Sequence, residues 1–194
     1  MATKTNQYKK AVEFLFEVGS MRKIMRAHRQ SLLTDDMSDN IASHSFRVAW
    51  TGWLLAKMEK ADEAKVMLMC LAHDTSEARS GDQNWVHKRY VKVFEDEIIK
   101  DQIKGLPGES ELKKILTEYN LRKTKEAKIA KDADRIDQLL LLKEYVMAGN
   151  LEARDWGSEH DKSLYSSSAK KIVREIRRKK PSDWWHGIQT EKRR

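Results

Sequence analysis

Apolar positions along the chain recur mostly at three- and four-residue intervals, and no segment shows sustained strict alternation. That period belongs to amphipathic helices rather than strands. A first helix is predicted over residues 8–25 from Tyr8, Val12, Leu15, Phe16, Met21, Ile24 and Met25, with Gly19 as a weak point or short break. Residues 29–42 are polar and read as a loop, with Ser38 or Asp39 capping the next helix. That helix spans residues 41–60, with Phe46, Ala49, Trp50, Trp53 and Leu54 on one broad face and both tryptophans assigned to the core. Asp62 caps a further helix that runs to Arg79 and ends at Gly81. Its residues 66–72 are apolar all round, which predicts a place at the centre of the fold.

Residues 82–90 form a polar connection and residues 91–103 a helix, and Gly105-Leu106-Pro107-Gly108 is a break. A short helix over 109–119 and a long one over 123–148 follow, the latter closed by Gly149-Asn150. Residues 151–163 are polar and irregular. An amphipathic helix over 164–179 carries Ser168, Ile172, Val173 and Ile176, and Pro181 stops it. Trp184-Trp185 is expected to pack a final turn back on the body. The expectation is an all-α domain of about seven to nine helices.

Composition narrows the class. A length of 194 residues suits one domain with a real core, and only eight Gly and two Pro favour long helices. The one cysteine, Cys70, excludes an internal disulfide framework and reads as a packed core thiol in a reducing compartment. The N-terminal residues lack a signal-type apolar core, and no apolar run approaches membrane-spanning length, so a cytoplasmic protein is expected. The net charge of +8 is concentrated at one end: ten Lys/Arg face three acidic residues over 169–194. A basic C-terminal helix and tail from about residue 164 could bind nucleic acid or an acidic partner. A solvated helix face with a frayed end is the plainer reading and the preferred one.

Chemistry is suggested by His73-Asp74 at the end of the apolar run MLMCLAHD. A carboxylate at the end of a buried helix must be neutralised, paired or bound to a cation. Imidazole with carboxylate suits a borderline divalent metal such as Mn, Fe, Co, Ni or Zn. Two residues cannot complete its shell. His44, in SHSF, and Asp134, in KDADRID, would add a second imidazole and a second carboxylate and leave positions open for water and substrate. Alternatives stand beside this reading. His44 could bond a backbone carbonyl, Asp134 could pair with Lys131 or Arg135 on a solvated face, and Asp132 and Asp137 are equally acidic neighbours.

The order H…HD…D resembles the HD superfamily of phosphohydrolases. ASHSFRVA is similar to that family's segment around its first histidine, and LAHDTSEARSGD to its block HD-x-x-E-x-x-x-G-D, which puts Glu77 and Asp82 on two further acidic positions. KDADRID is similar to the last-aspartate segment, and VGSMRKIMR to a segment ending in a substrate-binding arginine, here Arg26. The segments span residues 18–137, and the nearest branch is that of the 5′-deoxynucleotidases.

The resemblance implies a single HD-domain helical bundle over residues 1–194, acting as a homodimer. It also implies one divalent metal ion on His44, His73, Asp74 and Asp134, and removal of phosphate from nucleoside 5′-monophosphates with a preference for deoxyribose. Arg26 would bind the phosphate and Glu77 would take or give a proton. Asp82 would touch the sugar hydroxyl or assist proton transfer. Glu77 follows His73 by four residues and Asp74 by three, which would set it on the same helix face.

Two departures bear on substrate choice. Ala27-His28-Arg29 follow Arg26 where the branch often carries an aromatic or a Gly-Trp pair. Gln83-Asn84-Trp85-Val86-His87-Lys88 follow Asp82 where it often carries proline and a nearby lysine. Lys88 stays a candidate second phosphate contact, and Trp85 a candidate wall of the nucleoside pocket. His28, His87, His160 and His186 read as structural or exposed. Since His87 is the one histidine between Asp74 and Asp134, a single metal is expected rather than a dinuclear centre. Two rival functions remain: hydrolysis of another nucleotide (an alarmone, a cyclic dinucleotide or a nucleoside triphosphate), or a nucleic-acid- or partner-binding module using the basic tail.

Overall fold

A computed structural model describes residues 4–156, 163–186 and 188. The predicted first helix is α1 (Lys4–Ser20), continued by a 3-10 turn, Met21–Lys23. The break falls after Ser20, whose hydroxyl donates to the Glu17 carbonyl at 2.6 Å, rather than at Gly19. The polar stretch that follows holds one helical turn, α2 (Arg29–Leu32), which buries Leu32 completely. Backbone hydrogen bonds from Arg26 to Asp39 and from Ile41 to Ile24 pin this excursion against the start of α3 (Ile41–Glu59). The cap of α3 is neither Ser38 nor Asp39. Asn40 accepts from the Ser43 amide at 3.0 Å, while Asp39 is taken by His28 at 2.6 Å.

The buried stripe of α3 is Ile41, His44, Ser45, Val48, Thr51, Gly52, Leu55 and Ala56. The face expected to be core lies outside: Phe46, Trp50 and Leu54 are exposed and Trp53 is half-buried. Small residues on the true inner face let the next helix approach closely, and the bulky ones are left on the outer side. The next helix is α4 (Glu63–Ala72), capped by Asp62 as expected. It buries Val66, Met69, Cys70 and Ala72 at the centre of the fold as expected but exposes Met67 and Leu71, so one edge of the helix is left open. Gly52 marks a close contact of α3 and α4. A Cβ there would run into Cys70 Sγ and stand 3.1 Å from Val66 Cγ1. Gly52→Ala is therefore expected to cost about 1–3 kcal/mol through overpacking, read as a lowered denaturation midpoint with an unchanged slope.

α4 stops at Ala72 instead of running to Arg79. Thr75 Oγ1 donates to the Ala72 carbonyl at 2.8 Å, the chain turns through Asp74–Ser76, and α5 (Glu77–Ser80) opens on Glu77 and closes at Gly81 with φ 70°. The predicted connection 82–90 contains α6 (Trp85–Tyr90). Asn84 accepts from the Val86 and His87 amides, and the His87 ring accepts from the Asn84 amide in return. Then come α7 (Glu95–Ile103), α8 (Glu109–Leu121), α9 (Lys125–Met147), α10 (Glu152–Trp156), α11 (Ser167–Arg178) and α12 (Asp183–His186). The break at Gly105–Gly108 and the long helix are as expected, and α7 begins four residues later than its pattern suggested.

The all-α class holds, and there is no strand among the described residues beyond an isolated bridge between Met25 and Asn40. Seven helices have nine or more residues. The other five have six or fewer, too short to announce themselves by periodicity. α3, α4 and α9 form the centre, where Val48, Leu55, Val66, Met69, Cys70, Ile129, Ala130, Ala133 and Ile136 pack together, and α11 covers them with Ala169 and Val173. Burial pushes the Cys70 thiol far up, in keeping with an inert core residue. Lys170, Lys171, Arg174, Arg177 and Arg178 of α11 are exposed. Trp184 is exposed rather than packed back, and His186 is exposed and stacks on Trp185. His160 and residues 189–194 of the basic tail lie outside the described residues.

Candidate metal centre

Three helices deliver the candidate ligands. His44 lies in the first turn of α3, His73 and Asp74 just past the end of α4, and Asp134 in the third turn of α9. Ligand atoms of His44, His73 and Asp134 lie within 4.8 Å of one another. Asp74 Oδ2 is 3.4 Å from His44 Nε2 and 3.2 Å from His73 Nε2, and Asp134 Oδ1 is 3.3 and 4.0 Å from the same two atoms.

The protonation pattern of the two rings tests whether a cation fits. His73 Nδ1 is 2.8 Å from the Cys70 carbonyl, which can only accept, so Nδ1 carries the hydrogen. His44 Nδ1 is 2.6 Å from Asp137 Oδ2 and likewise donates. In the neutral rings both Nε2 atoms therefore carry lone pairs. Both are buried and without a hydrogen-bond partner, and both face two carboxylates, which are acceptors too. The acceptor atoms of His44, His73 and Asp134 form a compact group that suits a shared cation, with Asp74 beside the two rings. The electrostatics agree. Burial and the nearby Arg26 push the His44 imidazole down, yet Asp134, Asp137 and Asp74 prevail and hold it up at about 9, a proton standing in for a heavier cation. Asp134 is held well below the usual carboxylate range: burial opposes its charge, and Lys131 at 2.5 Å with the two histidines outweighs burial.

Asp137 was only a decoy in the sequence. It fixes the His44 ring and is itself held by Arg47, which also reaches Glu144 at 2.7 Å. Asp137→Asn should weaken divalent-cation affinity about 10–100-fold without abolishing it, a shift that a competition titration with a chelating dye reads directly. Asp132, the other decoy, is fully buried and accepts from the Tyr165 and Ser166 amides at 2.8 and 2.7 Å, anchoring the start of α11.

Glu77 opens α5 rather than extending α4. Its Oε2 is buried without a partner, and Arg79 pairs with Glu17 instead, at 2.5 and 3.0 Å. Burial first, then repulsion from Asp74 and Asp82, pushes the Glu77 carboxyl up to about 10, with Arg26 and Lys88 opposing. Asp82 Oδ2 accepts from the Ala27 amide at 2.7 Å and lies 3.3 Å from Arg26 Nε. Arg26 also comes within 3.9 Å of Asp74. Its neighbours Arg22 and Lys23 point to solvent.

A cavity of about 420 Å³ opens beside this cluster. Arg26, Lys88, Lys131 and Arg135 bring positive charge to it, and Trp85 forms part of its wall. A smaller cavity of about 240 Å³ shares Asp74, Glu77, Lys88 and Lys131. Lys131, Arg135 and Gln138 were not singled out as pocket residues from the sequence. The spacing 131, 134, 135, 138 on one helix was the signal, since these positions share the face that carries Asp134. Trp156 and Asn84 left no such trace.

Residues 18–177 match the HD domain family. The chain belongs to that family. The 5′-deoxynucleotidase HDDC2 of Dictyostelium discoideum is 29% identical over 123 residues, which cover 57% of this chain and 64% of that protein, under two thirds of its length. Among solved structures, a conserved hypothetical protein from Pyrococcus furiosus is similar at a TM-score of 0.74 and 24% identity, covering 87% of this chain and 99% of that one. The cyanophage S-2L HD phosphohydrolase DatZ, bound to dA and one catalytic zinc ion, is similar at a TM-score of 0.54 and 16% identity over 84% of this chain and 96% of that one. These structures share the HD domain's fold. No helix among the described residues is long and apolar enough to cross a membrane.

Proposed function

We propose that this HD-domain enzyme hydrolyses (deoxy)nucleoside 5′-monophosphates to nucleoside and phosphate, with one divalent cation held by His44, His73, Asp74 and Asp134. The observation that carries the reading is the pair of orphaned imidazole nitrogens facing two carboxylates, at the edge of a cavity with four cationic side chains. The similarity to a protein named 5′-deoxynucleotidase supports the substrate class.

When bound, the cation supplies Lewis acidity toward a phosphate oxygen and toward the attacking water. The remaining work falls to side chains. Arg26, 12% exposed and held by Asp82, donates to the phosphate with its orientation already fixed. Asp82 is then a positioning residue for Arg26 rather than a sugar contact. Lys88 and Lys131 neutralise the phosphate from the cavity wall. Water adds to phosphorus, the bond from phosphorus to the 5′-oxygen breaks, Glu77 gives its proton to that oxygen as the nucleoside leaves, and the proton released by the attacking water restores the Glu77 carboxyl. Burial is the first cause that raises the Glu77 carboxyl, and it favours the protonated form that can donate.

The chain is read as a single domain in a cytoplasmic homodimer. The exposed row Phe46, Trp50, Leu54 and Met58 along α3 supports self-association. Phosphate release from deoxynucleoside monophosphates, ribonucleoside monophosphates, nucleoside triphosphates and alarmones, each with Mn and with Co, tests the function. Release from deoxynucleoside monophosphates is expected to lead. A protein active on another class and inert on every monophosphate would transfer the reading to that class.

A further inference from the structure

The larger cavity has a second half that the phosphate chemistry leaves unused. Gln138 stands one turn beyond Asp134 on α9, lines the cavity and is 8% exposed, and its Nε2 has no hydrogen-bond partner. A buried amide N–H without an acceptor is costly unless something else supplies one. Four residues along a helix are about 6 Å, roughly the reach from a nucleotide's phosphate to its sugar hydroxyls.

Farther out, Trp85 of α6 and Trp156 of α10 meet with ring centroids 6.3 Å apart and planes at 41°. Trp156 is braced from behind, and the backbone that carries Trp85 is anchored at Asn84. Trp156 takes the His28 ring edge-on at 6.1 Å, His28 is locked to Asp39, and Trp156 packs on the buried group of Leu32, Leu142, Tyr145 and Ala153. Trp85 follows Asn84, whose amide nitrogen donates to the Ala27 carbonyl and to Gln30 Oε1, both at 3.1 Å. Trp85 remains 72% exposed and lines the cavity, so a large aromatic surface stands uncovered beside Trp156.

We infer that this half of the cavity is the nucleoside pocket, with the base stacked on the Trp85–Trp156 pair and the Gln138 amide donating to the sugar 3′-hydroxyl. The inference rests on the nucleotidase reading above and deepens it. Stacking accepts any base because every base has a π-face, whereas a buried amide donor rejects a sugar that lacks its acceptor. The enzyme should therefore select the sugar more sharply than the base.

The test uses the full chain loaded with Mn. Deoxyadenosine should quench tryptophan emission, and Trp156→Ala should weaken that binding about tenfold. Trp85→Ala, at an exposed position, carries the same expectation should Trp156→Ala fail to fold. In steady state, the parent should favour deoxyadenosine monophosphate over its 2′,3′-dideoxy analogue about tenfold, and Gln138→Leu should bring that ratio close to one. An unchanged deoxyadenosine affinity in both tryptophan variants, or an intact sugar preference in Gln138→Leu, overturns the assignment. Deoxyadenosine binding that responds to the variants, with no nucleotide turned over, would sink the nucleotidase reading and leave the pocket standing. Phosphate release from nucleotides without any deoxyadenosine quench would sink the pocket alone. Neither binding nor turnover would overturn both.

Discussion

Asp134→Asn is expected to abolish divalent-cation binding and the proposed phosphatase activity together. The substitution keeps the shape of the side chain and takes away its charge. Asp134 Oδ1 sits 3.3 Å from His44 Nε2, and its Oδ2 is 2.5 Å from Lys131 Nζ. With the charge gone, Lys131 stands beside a site that has lost one of its two carboxylates, and its own positive charge then opposes any cation. Both the ligand and the local field change against binding. Metal analysis of the purified variant should find less than about a tenth of the parent's content, and turnover should fall by about a thousandfold or more. The fold should persist, because the packing of α3 against α4 and α9 rests on Val48, Leu55, Val66, Met69 and Ile136 rather than on the ion. A variant that keeps a full complement of metal, or full turnover, would remove Asp134 from the centre.

Much of this centre could be read from the chain because its parts are short-range. His73 and Asp74 are adjacent, their apolar surroundings are visible in MLMCLAHD, and the long helix carrying Asp134 has unbroken helical spacing. What stayed hidden depends on distances across the fold. Asp137 resembles its acidic neighbours until α3 brings His44 Nδ1 to 2.6 Å from it, a contact across 93 residues. Asp82 is placed by the resemblance, but its hold on Arg26 and on the Ala27 amide, 55 residues earlier, shows only in the fold. The errors in burial have a different origin. On α3 the large apolar residues Phe46, Trp50 and Leu54 outweigh Ser45, Thr51 and Gly52 in any hydrophobic count, yet close helix packing selects the small ones for the inside. Of the short helices, α6 and α10 rest on the asparagines Asn84 and Asn150 and α2 and α5 on contacts with other helices, rather than on an apolar period, so polar stretches concealed them.

Glu77→Gln should leave the cation in place and still cost about 10²–10⁴ in turnover. Gln is nearly the same size and can occupy the same wall of the cavity, but it has no proton of suitable acidity to give. The metal content of this variant therefore separates it from Asp134→Asn, and full turnover would end the role assigned to Glu77. A second consequence concerns the metal-free protein. Burial, reinforced by Asp74 and Asp82, raises the Glu77 carboxyl from an ordinary value of 4.5 to about 10. Below pH 4.5 folded and unfolded chains both keep this proton, and the group makes no difference to stability. Between about pH 4.5 and 10 the unfolded chain releases it while the folded chain holds it, so the folded state loses ground as pH rises through that window. Gln does not titrate and escapes that loss. Metal-free Glu77→Gln should melt several degrees above the metal-free parent at pH 8, by about 4–8 °C for a gain near 2 kcal/mol, and the difference should close toward pH 4.5. Melting curves that coincide at pH 8 would mean that Glu77 is solvated and ionised, and it would then hold no proton to donate.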